Sequence, residues 1–201
     1  MDLFGFDKHF NLLPCDGEVY YFNSLIDNKI AENYFDDLLE KISWQHDELF
    51  IYGKQLTTKR KVAWYGDSAS RYTYSNNTKT ALPWTSELSA LKTIVEQQIQ
   101  SKFNSCLLNL YHNGDEGMAW HSDDEKELGE KPIIASLSLG AERKFSFKHK
   151  AKKESVSLVL ESGSLLLMKG STQQHWQHSL PKTKKIADPR INLTFRTIIN
   201  D

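Results

Sequence analysis

Apolar and polar positions change rhythm near the middle of this chain. In AENYFDDLLEKI, residues 31–42, the set Tyr34, Phe35, Leu38, Leu39 and Ile42 recurs at the three- and four-residue spacing of an amphipathic helix. In TSELSALKTIVEQQIQSKF, residues 85–103, Leu88, Leu91, Ile94, Val95, Ile99 and Phe103 do the same, and Thr85 after Pro83 and Trp84 predicts the N-cap. Beyond them the period shortens. LLNLYH, IIASLSLG, RKFSFKHK, SVSLVLE, GSLLLMKG and INLTFRTI are runs of β-formers separated by Gly, Pro, Asn and charged turns. Closely spaced strands of this kind predict a sandwich or barrel. The fold class is α+β, helices first and a compact β-fold after them. The aromatic, basic stretch at about 50–80 reads as short strands and loops.

Side chains alternate across a strand, so residues two apart share a face. In RINLTFR, residues 190–196, Arg190, Asn192, Thr194 and Arg196 face one way and Ile191, Leu193 and Phe195 the other. One reading is a strand with one wet face. The other points the polar face into a barrel, where two guanidiniums require anions because buried unpaired charge is costly. No matching acid lies nearby in sequence, which leaves a bound dicarboxylate, suited to arginine's planar fork. By the same parity Asn109 and Tyr111 share a face, although a packed tyrosine with a satisfied hydroxyl accounts for Tyr111 equally well.

Composition narrows the class. The 201 residues are 39% hydrophobic, 25% charged and 11% aromatic, which suits one large folded domain or one domain with a small extension. No apolar run reaches membrane-spanning length, and MDLFGFDKHFNLLP lacks a basic start followed by an apolar region. Cys15 and Cys106, far apart, form no disulfide framework, so a reducing intracellular setting is expected. The net charge of −1 weakens a nucleic-acid reading, but cations gather at Lys54–Lys61, Lys148–Lys153 and Lys182–Lys185. If these lie on one face, a neutral molecule has a cationic side.

The stretch WHSDDE, Trp120 to Glu125, sets His121 two residues before Asp123. Alone this is weak: with 7 histidines and 26 acids in the chain, about one such spacing arises by chance, and His46-x-Glu48 is one. A facial site of two histidines and one carboxylate needs a third ligand from another strand and leaves positions for a chelating co-substrate and O2 on Fe(II). HWQHSLP offers His175 and His178 close to the arginine-bearing strand.

NLYHNGDEGMAWHSDDE, PIIASLSLGAERKFSFKHK and HWQHSLPKTKKIADPRINLTFR closely resemble the AlkB family of Fe(II)/2-oxoglutarate dioxygenases, nearest to the mammalian-type homologues that repair alkylated DNA. The resemblance runs over about residues 45–198. It implies a double-stranded β-helix, or jelly roll, with N-terminal helices. Residues 1–44 would be an extension with the first helix, 45–201 the dioxygenase domain, and about 45–83 a nucleotide-recognition lid. It implies that His121, Asp123 and His178 ligate Fe(II), and that Asn109, Tyr111, Arg190, Thr194 and Arg196 hold 2-oxoglutarate. The implied reaction consumes O2, hydroxylates an N-methyl group of 1-methyladenine or 3-methylcytosine in DNA, and releases formaldehyde.

Such a base must be flipped out of the duplex. By the resemblance, Tyr72 and Tyr74 line the base pocket, Tyr74 stacking the base against His121, and Asp124 contacts the lesion. The IYGK hairpin, with Tyr52, Gly53 and Lys54, supplies a wedge into the vacated stack, tyrosine standing where phenylalanine is familiar. Lys54, Lys59, Arg60 and Lys61 serve as phosphate contacts. The partner is methylated DNA, single- or double-stranded, with no membrane and a monomeric enzyme, in bacterial cytoplasm or a nucleus. Alternatives are a related dioxygenase acting on RNA or protein, and a catalytically silent nucleic-acid-binding homologue.

Overall fold

A computed structural model describes residues 10–199 apart from 52–53, 68–70 and 75–76; over 47–51, 54–56, 71–74 and 77–80 it describes the course of the backbone. In chain order come β1 (Glu18–Phe22), α1 (Asn28–Lys41), β2 (Gln45–Ile51), β3 (Lys54–Gly66), β4 (Arg71–Tyr74), β5 (Asn77–Thr80), α2 (Ser86–Ile99), β6 (Ser105–Tyr111) and β7 (Met118–His121). There follow a 3-10 turn (Lys126–Leu128), β8 (Ile134–Gly140), β9 (Arg143–His149), β10 (Ser155–Leu160), β11 (Leu165–Lys169), α3 (Thr172–His175), β12 (Trp176–Leu180) and β13 (Arg190–Arg196).

The strands form a seven-stranded sheet, β1-β11-β8-β13-β6-β3-β2, and a four-stranded sheet, β10-β9-β12-β7, with β4 and β5 paired as a separate hairpin. Every pairing within the two large sheets is antiparallel. This is the expected jelly roll. Residues 18–41 join it closely: β1 is the edge strand beside β11, and α1 lies against β8.

Two cores hold the layers. On the outer face of the larger sheet, Leu38 of α1 and Leu88, Leu91 and Val95 of α2 bury against Leu108, Leu137, Ile191, Leu193 and Phe195. Between the sheets, Ile134, Leu166 and Met168 meet Phe147, Leu160 and Trp176. The helices follow their apolar stripes. Leu39, expected on the stripe of α1, departs from it and stays 39% exposed. Thr85 caps α2 by accepting the Leu88 N–H at 3.2 Å. The last turn closes on Gln100, left-handed at φ 56°, while Glu96 beneath it accepts the Phe103 N–H at 2.9 Å. Because the helices cover Ile191, Leu193 and Phe195, strand alternation sends the polar row of β13 inward between the sheets.

Candidate metal centre and its cavity

β7 and β12 pair so that His121 lies directly opposite His178. Two residues on, Asp123 is turned back toward both, its N–H donated to the buried Oε1 of Gln173 at 2.9 Å. One ligating atom from each of the three residues then lies within 4.8 Å of the others. His121 Nε2 is 3.6 Å and His178 Nε2 3.9 Å from Asp123 Oδ1, with ring centres 4.3 Å apart.

The chemistry of these donors suits a divalent cation. His121 Nδ1 lies 2.9 Å from the Ala119 carbonyl, which can only accept, so the proton sits on Nδ1 and the Nε2 lone pair faces Asp123. Burial pushes His178 down to about 4, which keeps its imidazole neutral at neutral pH. Burial would raise the Asp123 carboxyl, but Arg196 and the two imidazoles outweigh it and hold the group below the usual carboxylate range. Two histidines and an ionised carboxylate, drawn from segments over 50 residues apart, make a facial donor set.

Behind them is a cavity of about 500 Å³ that all eight residues expected to hold metal or 2-oxoglutarate line: His121, Asp123, His178, Asn109, Tyr111, Arg190, Thr194 and Arg196. β13 runs between β6 and β8, with Arg190 opposite Tyr111 and Asn192 opposite Asn109 and Ser138. Arg190, 2% exposed, donates to Ser138 Oγ at 2.9 Å and lies 5.6 Å from the centre of the Tyr111 ring. No carboxylate among the described residues forms an ion pair with it. Burial lowers its pKa to about 10, so it stays a cation. Arg190 Nε and Asn109 Oδ1 are buried without hydrogen-bond partners among the described residues, a donor and an acceptor suited to a bound carboxylic acid.

The reading that leaves only a ligand's carboxylates to meet these arginines is corrected at Arg196, which also has acids of the protein beside it. Its Nη2 already pairs with Asp123 Oδ2 at 2.9 Å, and Nη1 lies 4.0 Å from Glu125. The acid is absent from the local sequence because the turn after β7 carries it across the cavity. Arg60 is corrected too: it is 8% exposed, lines the cavity and donates to Met118 Sδ at 3.7 Å, rather than standing at the surface for phosphate.

Asp124 is exposed and does not line the cavity. His175 stacks on His149 at 6.0 Å, away from the three donors. Tyr52 and Gly53 lie outside the described residues, as do the side chains of Lys54, Tyr72 and Tyr74 on β3 and β4. Reading by residue type missed Ser136, Ser138, Asn192 and Gln173. For Asn192 a signal existed, since it shares the polar face of β13; its Nδ2 donates to Ser136 Oγ at 2.8 Å. Arg143 was also missed. Only 1% exposed, it donates to the carbonyls of Asn113, Gly114, Glu116 and Pro181 at 2.8–3.3 Å and fastens the β6–β7 loop to the end of β12.

A jelly roll with a two-histidine, one-carboxylate centre at the mouth and a buried arginine in its depth defines the class of iron and 2-oxo-acid oxygenases. Residues 18–196 match the 2OG-Fe(II) oxygenase superfamily. The chain belongs to that superfamily and, within it, to the AlkB homologues. It is 40% identical over 186 residues to alpha-ketoglutarate-dependent dioxygenase alkB homolog 3 of Bos taurus, covering 88% of this chain and 64% of the relative. It is 38% identical to DNA oxidative demethylase ALKBH2 of Mus musculus, covering 93% of this chain and 81% of that one. The chain thus spans just under two thirds of the bovine relative's length. The structure of OsALKBH1 shares the fold, with a TM-score of 0.62 at 15% identity over 92% of this chain and 99% of that one.

Proposed function

We propose that this protein is an oxidative demethylase acting on N-alkylated bases in DNA, with 1-methyladenine and 3-methylcytosine as substrates. The observation that carries the reading is the convergence of His121, Asp123 and His178 beside a cavity whose buried Arg190 has, among the described residues, a hydroxyl and an aromatic face as partners and no carboxylate paired with it. The relatives with 36–38% identity that are named DNA oxidative demethylase support DNA as the substrate.

His121, Asp123 and His178 would hold Fe(II), and Arg190 and Arg196 with Asn109, Tyr111 and Thr194 would hold 2-oxoglutarate. When bound, the two supply the means to activate O2 and hydroxylate an N-methyl carbon while 2-oxoglutarate leaves as succinate and CO2. The hydroxymethyl group then falls away from the base nitrogen as formaldehyde. Neutral His178 offers a lone pair with no proton to displace. Arg196 fixes the orientation of the Asp123 carboxylate from one side, while Gln173 fixes its backbone from the other. Arg190 would take a carboxylate of the co-substrate in bidentate fashion, and the apolar walls, Leu107, Phe145 and Leu180 among them, keep bulk water away.

The reading extends to the segment at about 45–83 as a nucleotide-recognition lid. There Tyr52, Gly53 and Lys54 would enter the vacated stack, Tyr72 and Tyr74 would receive the flipped base, and Asp124 would meet it at the rim. No helix among the described residues is long and apolar enough to cross a membrane.

The test is turnover with Fe(II), 2-oxoglutarate and O2 on methylated duplex, single-stranded DNA and RNA, reading formaldehyde and succinate together. Equimolar release on methylated DNA, lost in His178→Ala, is expected. Faster turnover on RNA than on either DNA form overturns the substrate assignment, and an unaffected His178→Ala overturns the site.

A further inference from the structure

A second group of chemically capable side chains lies outside the lining of the cavity. Cys15, in the segment before β1, meets Asp16, His149 at the end of β9 and Lys152 in the β9–β10 turn. Donor atoms of Cys15, Asp16 and His149 lie within 4.8 Å of one another, as in a metal site, but the hydrogen bonds disfavour a cation. His149 Nδ1 accepts the N–H groups of Ala151 and Lys152 at 3.0 and 2.9 Å. Its proton therefore sits on Nε2, which donates to Asp16 Oδ2 at 3.1 Å and has no lone pair to offer. The ammonium of Lys152 already sits among the three, donating to Asp16 Oδ2 and to Cys15 Sγ, the latter at 3.3 Å.

We propose that Cys15 and Lys152 form a peroxide-responsive pair that closes into a covalent sulfur–nitrogen link. In the thiolate form, Cys15 attacks one oxygen of hydrogen peroxide; an S–O bond forms, the O–O bond breaks and sulfur is oxidised to sulfenic acid. The departing hydroxide takes a proton from the Lys152 ammonium and leaves as water. That transfer turns Lys152 into a neutral amine already touching the sulfur. Its lone pair displaces the sulfenic hydroxyl, which leaves as a second water with the remaining proton, giving Cys15 Sγ–Nζ Lys152. Thiolate, ammonium and one peroxide thus yield the link and two waters, and the product is two hydrogens lighter than the reduced protein. One thiol attacks sulfur, releasing the amine and leaving a mixed disulfide on Cys15, and a second thiol reduces that disulfide to restore the free cysteine.

Three further observations support this assignment. Cys15 is partly exposed and Lys152 half exposed, so peroxide reaches the sulfur, whereas Cys106 is fully buried. Hydrogen bonding to Asp16 raises the pKa of Lys152, which keeps the proton in place until the leaving oxygen takes it. The Cys15 carbonyl accepts the Trp176 indole N–H at 3.0 Å and Asp16 is tied to His149, so the backbone on both sides of the sulfur is anchored to the smaller sheet. The link would join positions 137 residues apart and close the N-terminal segment onto the β9–β10 turn.

The experiment is peptide mapping by mass spectrometry after treating the full chain with graded hydrogen peroxide, with and without dimedone to trap sulfenic acid. A cross-linked pair of peptides carrying Cys15 and Lys152, two hydrogens light and released by dithiothreitol, is expected in the wild type and absent from Cys15→Ser. In Lys152→Gln, a surface change that leaves the core untouched, dimedone-labelled Cys15 should accumulate instead. Wild-type Cys15 that ends as a dimedone adduct or sulfinic acid without the link overturns the proposal, as does Cys15 left unmodified or linked to a different amine.

Discussion

Replacing Arg190 by methionine separates a ligand-binding cation from a structural one, because the two readings move stability in opposite directions. Arg190 is 2% exposed and its partners among the described residues are one hydroxyl and one ring face. The drop of its pKa from 12.5 to about 10 corresponds to roughly 3 kcal/mol held against the buried cation. Methionine fills similar volume without charge. It forfeits the contact with Tyr111, about 1 kcal/mol, and leaves Ser138 Oγ short of a donor, about 1 kcal/mol. The net expectation is a gain of about 1 kcal/mol, or a rise in Tm of about 2–4 °C for a chain of this size. Binding goes the other way: losing two charge-assisted hydrogen bonds to a carboxylate costs about 3–6 kcal/mol, at least a 100-fold weakening. Thermal melts paired with anaerobic calorimetric titration of 2-oxoglutarate into the Mn(II)-loaded protein read both quantities. A methionine variant that melts several degrees lower yet binds 2-oxoglutarate unchanged refutes the assignment of Arg190 as a carboxylate receptor.

Two further outcomes follow from groups around the site and under α2. Gln173→Leu removes the acceptor for the Asp123 N–H, so Mn(II) affinity measured by titration should fall about 10-fold with the fold intact, while Gln173→Glu, which retains an oxygen there, should stay close to wild type. Glu96 is held near 2: burial raises it, but hydrogen bonds from Lys102, the Phe103 N–H and Lys92 prevail. Its folded value lies below its unfolded one, so its contribution is fully present above about pH 4.5 and is lost as pH falls toward 2; Glu96→Gln should cost about 2 kcal/mol at pH 7 and converge with wild type near pH 2 in a series of melts.

How much could be read in advance depends on how local each signal is. The two faces of β13 follow from strand alternation alone, and the placement of Ile191, Leu193 and Phe195 under the helices agrees with that parity. Thr85 as the N-cap and the stripes of α1 and α2 are local in the same way. His121 and Asp123 are two residues apart, so their spacing was visible, but residue spacing alone left His175 and His178 open; the family resemblance pointed to His178, and the pairing of β12 with β7 sets it opposite His121. The pairing of Arg196 with Asp123 joins positions 73 apart and has no sequence signature. Arg60 stands in the cationic run KRK between exposed Lys59 and half-buried Lys61, and nothing in residue type distinguishes the one that strand geometry turns inward. Gln173 reads as an ordinary polar residue until the backbone of Asp123 arrives beside it.

The four carbonyls gathered by Arg143 bear on how the mouth can move. Three of them belong to the loop that feeds directly into β7, and so to the wall from which His121 projects, and the fourth, that of Pro181, directly follows β12. Any large excursion of that wall would strip a desolvated cation of several acceptors at once, a penalty thermal motion does not readily meet. The side of the mouth that carries His121 is therefore a fixed jaw for whatever enters the pocket.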